Sequence, residues 1–308
     1  CLPKPAWPPT FPPPGPGDGS KKLGFLGADL AKTADGWTIE RILPGESSEP
    51  DARPPPRQAG VGAKPGDVIV AVNGQPVDEA TGPAAHLQGA ADTIVELTLR
   101  RGRKDRTVAV IPLSSEEQLR YQDWVRSRRE YVAEKSGGRI GYVHVPDMAS
   151  YGWAQLHRDL RQAMGCEGVI ADVRFNRGGH TSALVAERFA DTVVAWNQAR
   201  SYDEMGRDPE DAPRGPVVFV ANEFSGSDGD IINARVQAKG IGPVVGVRTW
   251  GGVVGIDGRY DLVDGTGVTQ PRYAFWIEGK GWDVENYGVE PDIEVEHDPG
   301  QLFAEDDP

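Results

Sequence analysis

Apolar residues come in two rhythms along this chain. From 22 to 112 they gather in short runs broken by turn formers, at 23–30, 37–42, 68–74 and 94–99. Short runs of this length bounded by turn formers predict strands, and Asn73-Gly74 predicts a hairpin turn because the two central positions of that turn require positive φ. Beyond 138 the short runs alternate with longer stretches: strands at 140–145, 168–174, 217–221 and 244–246, helices at 153–164, 182–189 and 228–239. This alternation predicts an α/β domain on a largely parallel sheet. Between the two rhythms lies a charged helical segment, 114–134, in which Ser115 is placed as a cap, Glu116 and Glu117 suit the positive end, and Arg126, Arg128 and Arg129 fall toward the negative end. Leu119, Trp124 and Val125 give it a partial apolar stripe, and Gly137-Gly138 closes it. The expected division is a proline-rich linker at 1–21, extended because Pro3 through Pro16 excludes helix and central strand, a β-rich domain at 22–112, a connecting helix at 113–137 and an α/β domain at 138–308. The class is mixed α+β.

Charge and composition then remove several function classes. A net charge of −13, with acidic residues scattered over 308 residues, argues against a nucleic-acid surface, since phosphate binding needs clustered Lys and Arg. Only two cysteines occur, Cys1 and Cys166, far apart and without metal-ligand spacing. Neither a disulfide framework nor a zinc site is expected, and a reducing, cytoplasmic setting fits best. No apolar run approaches a membrane span, and no signal peptide is visible. The chain begins with Cys and stops at Asp306-Asp307-Pro308, so we expect it to be a piece of a longer protein.

Candidate chemistry concentrates in Asn222-Glu223-Phe224-Ser225-Gly226-Ser227-Asp228-Gly229-Asp230, between the apolar run 216–220 and the helix 228–239. That order puts Ser227 on a sharp strand-to-helix turn among small neighbours. A hydroxyl there stands clear of the backbone, and the unpaired N–H groups of the next helical turn can bind developing negative charge. Nucleophilic serines are presented in this way. The same letters also spell a helix cap, with Ser227 and Asp230 as a capping box.

Other segments break the tie. Arg174-Phe175-Asn176-Arg177-Gly178-Gly179, the stretch 138–143, Arg248 to Ile256, Gln270 to Trp276, and Val284-Glu285-Asn286-Tyr287-Gly288-Val289-Glu290-Pro291-Asp292 together resemble the C-terminal catalytic domain of the tricorn protease family. The resemblance implies a crotonase-like α/β domain of the kind shared with C-terminal processing peptidases. It implies Ser227 as nucleophile, the N–H groups of Asp228 and Gly179 as oxyanion donors with Gly178 beside them, and Glu285 as the carboxylate that orients the machinery through a serine next to the catalytic histidine. Ile231, Val253 and Phe275 fall where the family lines its primary pocket, or they are ordinary core. The acidic residue that helps some members accept basic side chains aligns approximately with Asn197, which puts a Lys or Arg preference in doubt. Upstream, Pro65 to Gly74 resembles a PDZ domain, with Leu23-Gly24-Phe25-Leu26 where the carboxylate-binding loop would be. A PDZ domain adds an extended peptide to a sheet edge, although the insertion Arg53-Pro54-Pro55-Pro56-Arg57 could cover the groove.

One expected part is absent. The family carries its general base in a Ser-His-Ala segment ahead of the PDZ domain, and none of His86, His144, His157, His180 and His297 matches it. A C-terminal processing peptidase would place a Lys base downstream of the serine, but Arg248-Thr249-Trp250-Gly251-Gly252-Val253 has Gly252 at that position. A non-catalytic PDZ peptide-binding module with a degenerate peptidase domain is the reading from another class. The resemblance further implies peptide substrates, no metal or cofactor, a homo-oligomer that is hexameric in full-length form, and aminopeptidases as possible partners.

Overall fold

In a computed structural model the described residues are 22–301 except 47, 48, 50, 51, 202, 297 and 299; the side chains of Asp257 and Arg259 are also outside the description. The proline-rich segment 1–21, Cys1 and His297 therefore lie outside the described residues. The chain forms two compact units, Cys1–Ser127 and Arg128–Pro308.

The first unit is an antiparallel sheet. Its strands β1 (Ala28–Thr33), β2 (Gly36–Ile42), β3 (Val68–Val72), β4 (Gln75–Pro76), β5 (Val95–Arg101) and β6 (Lys104–Val110) follow the order β1-β2-β3-β5-β6, with β4 paired to β3. Asn73 and Gly74 take positive φ between β3 and β4, as a two-residue hairpin requires. Ile39, Ile69, Val72, Leu97 and Leu99 of the strands face one core, with a register irregularity on β3 between Ile69 and Ala71. Behind it the buried Asp67 carboxylate accepts from Arg101 at 2.6 Å and Arg106 at 3.2 Å. Burial alone would push that carboxyl up, and the guanidinium bonds bring it below its ordinary value.

The loop before β1 is closed. Gly24 N–H donates to Leu87 O, Phe25 N–H to Leu113 O, and Gly27 N–H to Glu116 Oε1 at 2.7 Å. Arg120 holds the other Glu116 oxygen at 2.8 Å and reaches Asp29 at 2.5 Å. The proline insertion adds a cover here: Gly27 lies at φ 64°, and a Cβ on it would meet Leu119 at 2.8 Å and Pro54 at 2.9 Å. The helix α1 (Glu117–Ser136) begins beside this loop, with Glu117 N–H on Ser115 Oγ at 3.1 Å. A hollow of about 560 Å³ against Pro56 and Arg57 is lined by no residue of that loop.

The second unit is built on five parallel strands in the order β15-β12-β11-β8-β7: β7 (Ile140–His144), β8 (Gly168–Asp172), β11 (Val217–Ala221), β12 (Val244–Gly246) and β15 (Ile293–Glu294). Their continuous apolar runs are those of strands covered on both faces. The helices α2 (Ser150–Met164), α3 (Ser182–Ala190) and α4 (Asp228–Lys239) follow β7, β8 and β11. Leu156, Leu160, Met164, Val185, Phe189, Ile232 and Val236 bury against Val143, Ala171 and Phe219 of the sheet. Two antiparallel ribbons stand apart from this sheet: β9 (Ala195–Asn197) with β10 (Gly206–Asp208), and β13 (Gly255–Asp261) with β14 (Gly267–Tyr273). The sequence pattern does not announce them because they are exposed and lack a buried face to alternate against. Among the described residues no helix is long and apolar enough to cross a membrane.

Candidate active site

Ligand sites in open parallel sheets form beyond the carboxyl ends of the strands, and Gly178, Gly179, Ser227 and Asp228 lie there, after β8 and β11. Leaving β11, the chain turns at 222–226 before entering α4. Asn222 Oδ1 accepts from Phe175 N–H at 3.0 Å and Phe224 N–H at 3.2 Å, while the buried Ser225 hydroxyl donates to Val173 O at 2.8 Å. The loop after β11 is thus stitched to the loop after β8.

Ser227 stands at the N-cap position of α4 with φ 60° and ψ −121°, and its side chain makes no capping bond. The Asp230 carboxylate takes its close bonds from Thr249 Oγ at 2.5 Å and Gly251 N–H at 2.8 Å, with the Ser227 N–H also acting on it. A non-glycine residue at positive φ is strained, and such strain persists where the surroundings over-determine it. Here the bonds of the two loops do so. Among the described residues nothing lies in hydrogen-bond contact with the Ser227 hydroxyl.

The turn after β8 approaches Ser227 closely. Asn176 is fully buried, with Nδ2 donating to Val145 O at 2.7 Å and Oδ1 accepting from Gly178 N–H at 2.9 Å. Gly178 has φ 78°, and a Cβ there would sit 2.5 Å from Ser227 Cβ, so only glycine allows this approach. Gly226 N–H donates to Asn176 O at 3.0 Å. Among the described residues neither Gly179 N–H nor Asp228 N–H has a hydrogen-bond acceptor, and both belong to the segments that flank Ser227.

Under this turn lies a buried ionic cluster that sequence reasoning did not find. Asp172 accepts from Arg174 at 2.6 Å and from the Tyr142 hydroxyl at 2.8 Å, and His144 Nε2 meets Arg174 O at 2.9 Å. Burial pushes the Asp172 carboxyl up, but the Arg174 guanidinium outweighs it and holds the carboxyl below its ordinary value. Burial lowers His144 from its ordinary value, against the Asp172 charge. The one sequence signal was an Asp and an Arg at the end of an apolar strand.

Glu285 is half-buried and accepts from Val253 N–H at 2.6 Å and Val254 N–H at 2.7 Å. The same segment is gripped elsewhere: Thr249 N–H donates to Val289 O, Val289 N–H to Thr249 Oγ, and Asn286 N–H to Gly251 O. Ile231 and Val253 are buried in one apolar cluster with Ala234, Val284 and Val289, and half-buried Phe275 packs against it. Asn197 is not part of this cluster; it lies exposed on β9, beside Gly206. Trp250 is 64% exposed and, with Asn176, Arg177, Phe224 and Gly226, lines a cavity of about 220 Å³ at Ser227.

Of the histidines, His144 is buried beneath the loops, His157 is exposed against Trp153, and His86 belongs to the first unit. His180 is exposed and follows the Gly178-Gly179 turn, with its backbone N–H on Met148 O. None has its ring bonded to Ser227 among the described residues.

The comparisons with known proteins bear on the family and the fold. The model of peptidase family S41 matches residues 139–295, and that of the tricorn protease PDZ domain matches residues 24–115. Tricorn protease homolog 1 of Streptomyces coelicolor is 59% identical over 297 residues, covering 96% of this chain and 28% of that protein. The tricorn protease of Thermoplasma acidophilum is 34% identical over 288 residues, covering 93% of this chain and 27% of that protein. The crystal structure of the tricorn protease aligns with a TM-score of 0.88 at 34% identity, over 93% of this chain and 28% of that one. The chain therefore spans little more than a quarter of the length of these relatives. With a tricorn-type PDZ unit followed by a parallel-sheet unit that carries Ser227 on a strained strand-to-helix turn, this chain belongs to peptidase family S41, among its tricorn-like members.

Proposed function

We propose that the chain is the nucleophile-bearing part of a serine peptidase that hydrolyses oligopeptides. The observation that carries the reading is Ser227 itself: a serine at positive φ, with no capping bond, flanked by the Gly179 and Asp228 N–H groups, which have no acceptor among the described residues. In this reading the Ser227 hydroxyl attacks the scissile carbonyl. The developing oxyanion is met by the N–H groups of Asp228 and Gly179, aimed without the need to reorganise during the reaction. Glu285 orients the base through a serine beside it. The base is a histidine that is not among the five of this chain, which fits relatives roughly three and a half times as long.

The apolar cluster of Ile231, Val253 and Phe275 supports acceptance of apolar or long aliphatic side chains. A lysine base at 252 is unavailable because the chain has Gly252 there. The peptide-binding reading is weakened by the Glu116 carboxylate already seated on Gly27 N–H. Action within a cytoplasmic homo-oligomer, hexameric for the whole protein, with aminopeptidases trimming the products, belongs to the same proposal.

The test is turnover of fluorogenic peptides by a longer form that includes the upstream histidine. Ser227→Ala should lower kcat/KM by at least about 10³-fold and leave Tm within a few degrees, since even a lost cap costs only about 0.5–2 kcal/mol. The chain alone should show no detectable turnover. Unchanged activity in Ser227→Ala would end the proposal.

A further inference from the structure

The Asp228 backbone is assigned above as an oxyanion donor; its side chain has no role in that assignment, yet it is buried and fully engaged. One carboxylate oxygen accepts from Ser182 N–H at 2.9 Å and the other from Ser182 Oγ at 2.5 Å. Ser182 is the first residue of α3, and Thr181 at the N-cap of that helix makes no side-chain capping bond. The cap therefore comes from another helix, α4, and places a negative charge where the α3 dipole favours one.

Ser182 lies three residues after Gly179, and the stretch between them cannot drift. His180 N–H and Thr181 N–H both donate to Met148 O, at 2.7 Å and 3.0 Å, and Met148 N–H donates to Gly178 O at 2.8 Å. The oxyanion turn is thus tied to the nucleophile turn at both ends. Gly226 N–H on Asn176 O fastens the near end, and the Asp228 carboxylate on Ser182 fastens the far end. The two unpaired N–H donors, Gly179 and Asp228, sit inside that closed frame.

We propose that the Asp228 carboxylate is a positioning group that fixes the spacing of the two oxyanion donors by capping α3 from α4. This inference rests on the serine-peptidase reading, and its test separates the two. In the longer, active form Asp228→Ala should lower kcat roughly 10- to 100-fold with KM changed less than about two-fold, because a displaced donor is lost mainly in the transition state. Asp228→Asn, which keeps one acceptor and offers a donor to Ser182 Oγ, should recover part of the loss. Ser182→Ala should give a smaller loss of the same kind, and adding it to Asp228→Ala should cost nothing more, since both act through one contact.

A second measurement needs no catalysis and no upstream segment: in the chain as it stands, Asp228→Ala should speed amide hydrogen exchange across 178–182, and Ser182→Ala should do so more weakly. Unchanged exchange there overturns the inference whatever the activity. So does a fall in Tm with kcat untouched, which would leave Asp228 as a helix cap and nothing more. If instead Ser227→Ala retains activity while the exchange result holds, the clamp stands and the serine-peptidase reading fails.

Discussion

Two loops in this protein are built to present backbone N–H groups, and they end in opposite states. In the PDZ-like unit, the loop at 23–27 has Gly24, Phe25 and Gly27 N–H engaged by Leu87 O, Leu113 O and the Glu116 carboxylate. In the S41 unit, the turns at 176–179 and 226–228 leave Gly179 and Asp228 N–H without an acceptor among the described residues. The difference lies in where the nearest carboxylate was sent. Glu116 turns onto its loop and is locked there by Arg120, whereas Asp228 turns away from its own turn and onto Ser182. A glycine-rich loop is therefore no evidence of an anion site until its donors have been accounted for.

The most forceful way to break this comparison is to remove what supports the open loops. Asp172→Asn leaves the Arg174 guanidinium buried without its counter-charge, and a buried pair broken on one side costs about 3–5 kcal/mol. Chemical denaturation of the chain should show a loss of that size, in the transition of the second unit; a loss under about 1 kcal/mol would mean the pair is not needed to hold the 174–179 turn.

Next in size is the grip on the segment that carries Val253. Glu285→Gln keeps one acceptor for Val253 and Val254 N–H but removes the charge, so folding should be nearly unchanged. In the longer form kcat should fall about 10- to 100-fold with KM little altered, because orientation of the base matters chiefly in the transition state. A rise in KM at constant kcat would instead make Glu285 a support for the pocket wall.

A smaller effect is expected at the closed loop. Glu116→Ala strands Gly27 N–H and leaves Arg120 with Asp29 alone, at a cost of about 1.5–3 kcal/mol for a lost bond to a charged group. Calorimetric titration of the unmodified chain with a peptide ending in a free carboxylate should show no binding. Tight binding by the unmodified chain would show that Glu116 leaves the loop readily and would restore the peptide-binding reading.

The smallest effect is on pH dependence. His144 and Asp172 are both held below their ordinary values, so each contributes stability that is present above its unfolded value and lost as pH falls through the folded one. For His144 that loss begins as pH drops below about 6.5. His144→Gln should remove this first step of acid destabilisation, seen as a flatter Tm between neutral and mildly acid pH, while the Asp172 step at lower pH remains. An unaltered Tm profile would place the first acid step on another group.

Much of this architecture was legible in the chain itself. The apolar runs of 168–174 and 217–221 could only be strands buried on both faces, and the alternation with 182–189 and 228–239 fixed a parallel sheet. Ser227 was conspicuous as a serine between a buried strand and a helix, but its letters also spelled a helix cap, and only the resemblance of the other segments favoured a nucleophile. Asn73-Gly74 declared its hairpin by φ alone. These features are local: propensity, period and turn chemistry decide them within a few residues.

Which polar side chain answers which was decided only by tertiary structure. Asp228 and Asp230 stand two apart in the same turn, one spelled as the nucleophile's neighbour and the other as half of a capping box. The fold sent the first to Ser182 and the second to Thr249 and Gly251. Likewise nothing in Glu116 distinguishes a first-turn helix acid from the group that closes a loop 89 residues earlier in the chain. A buried carboxylate takes whichever donors packing leaves unpaired around it, and that set is known only once strands and helices distant in sequence have been brought together.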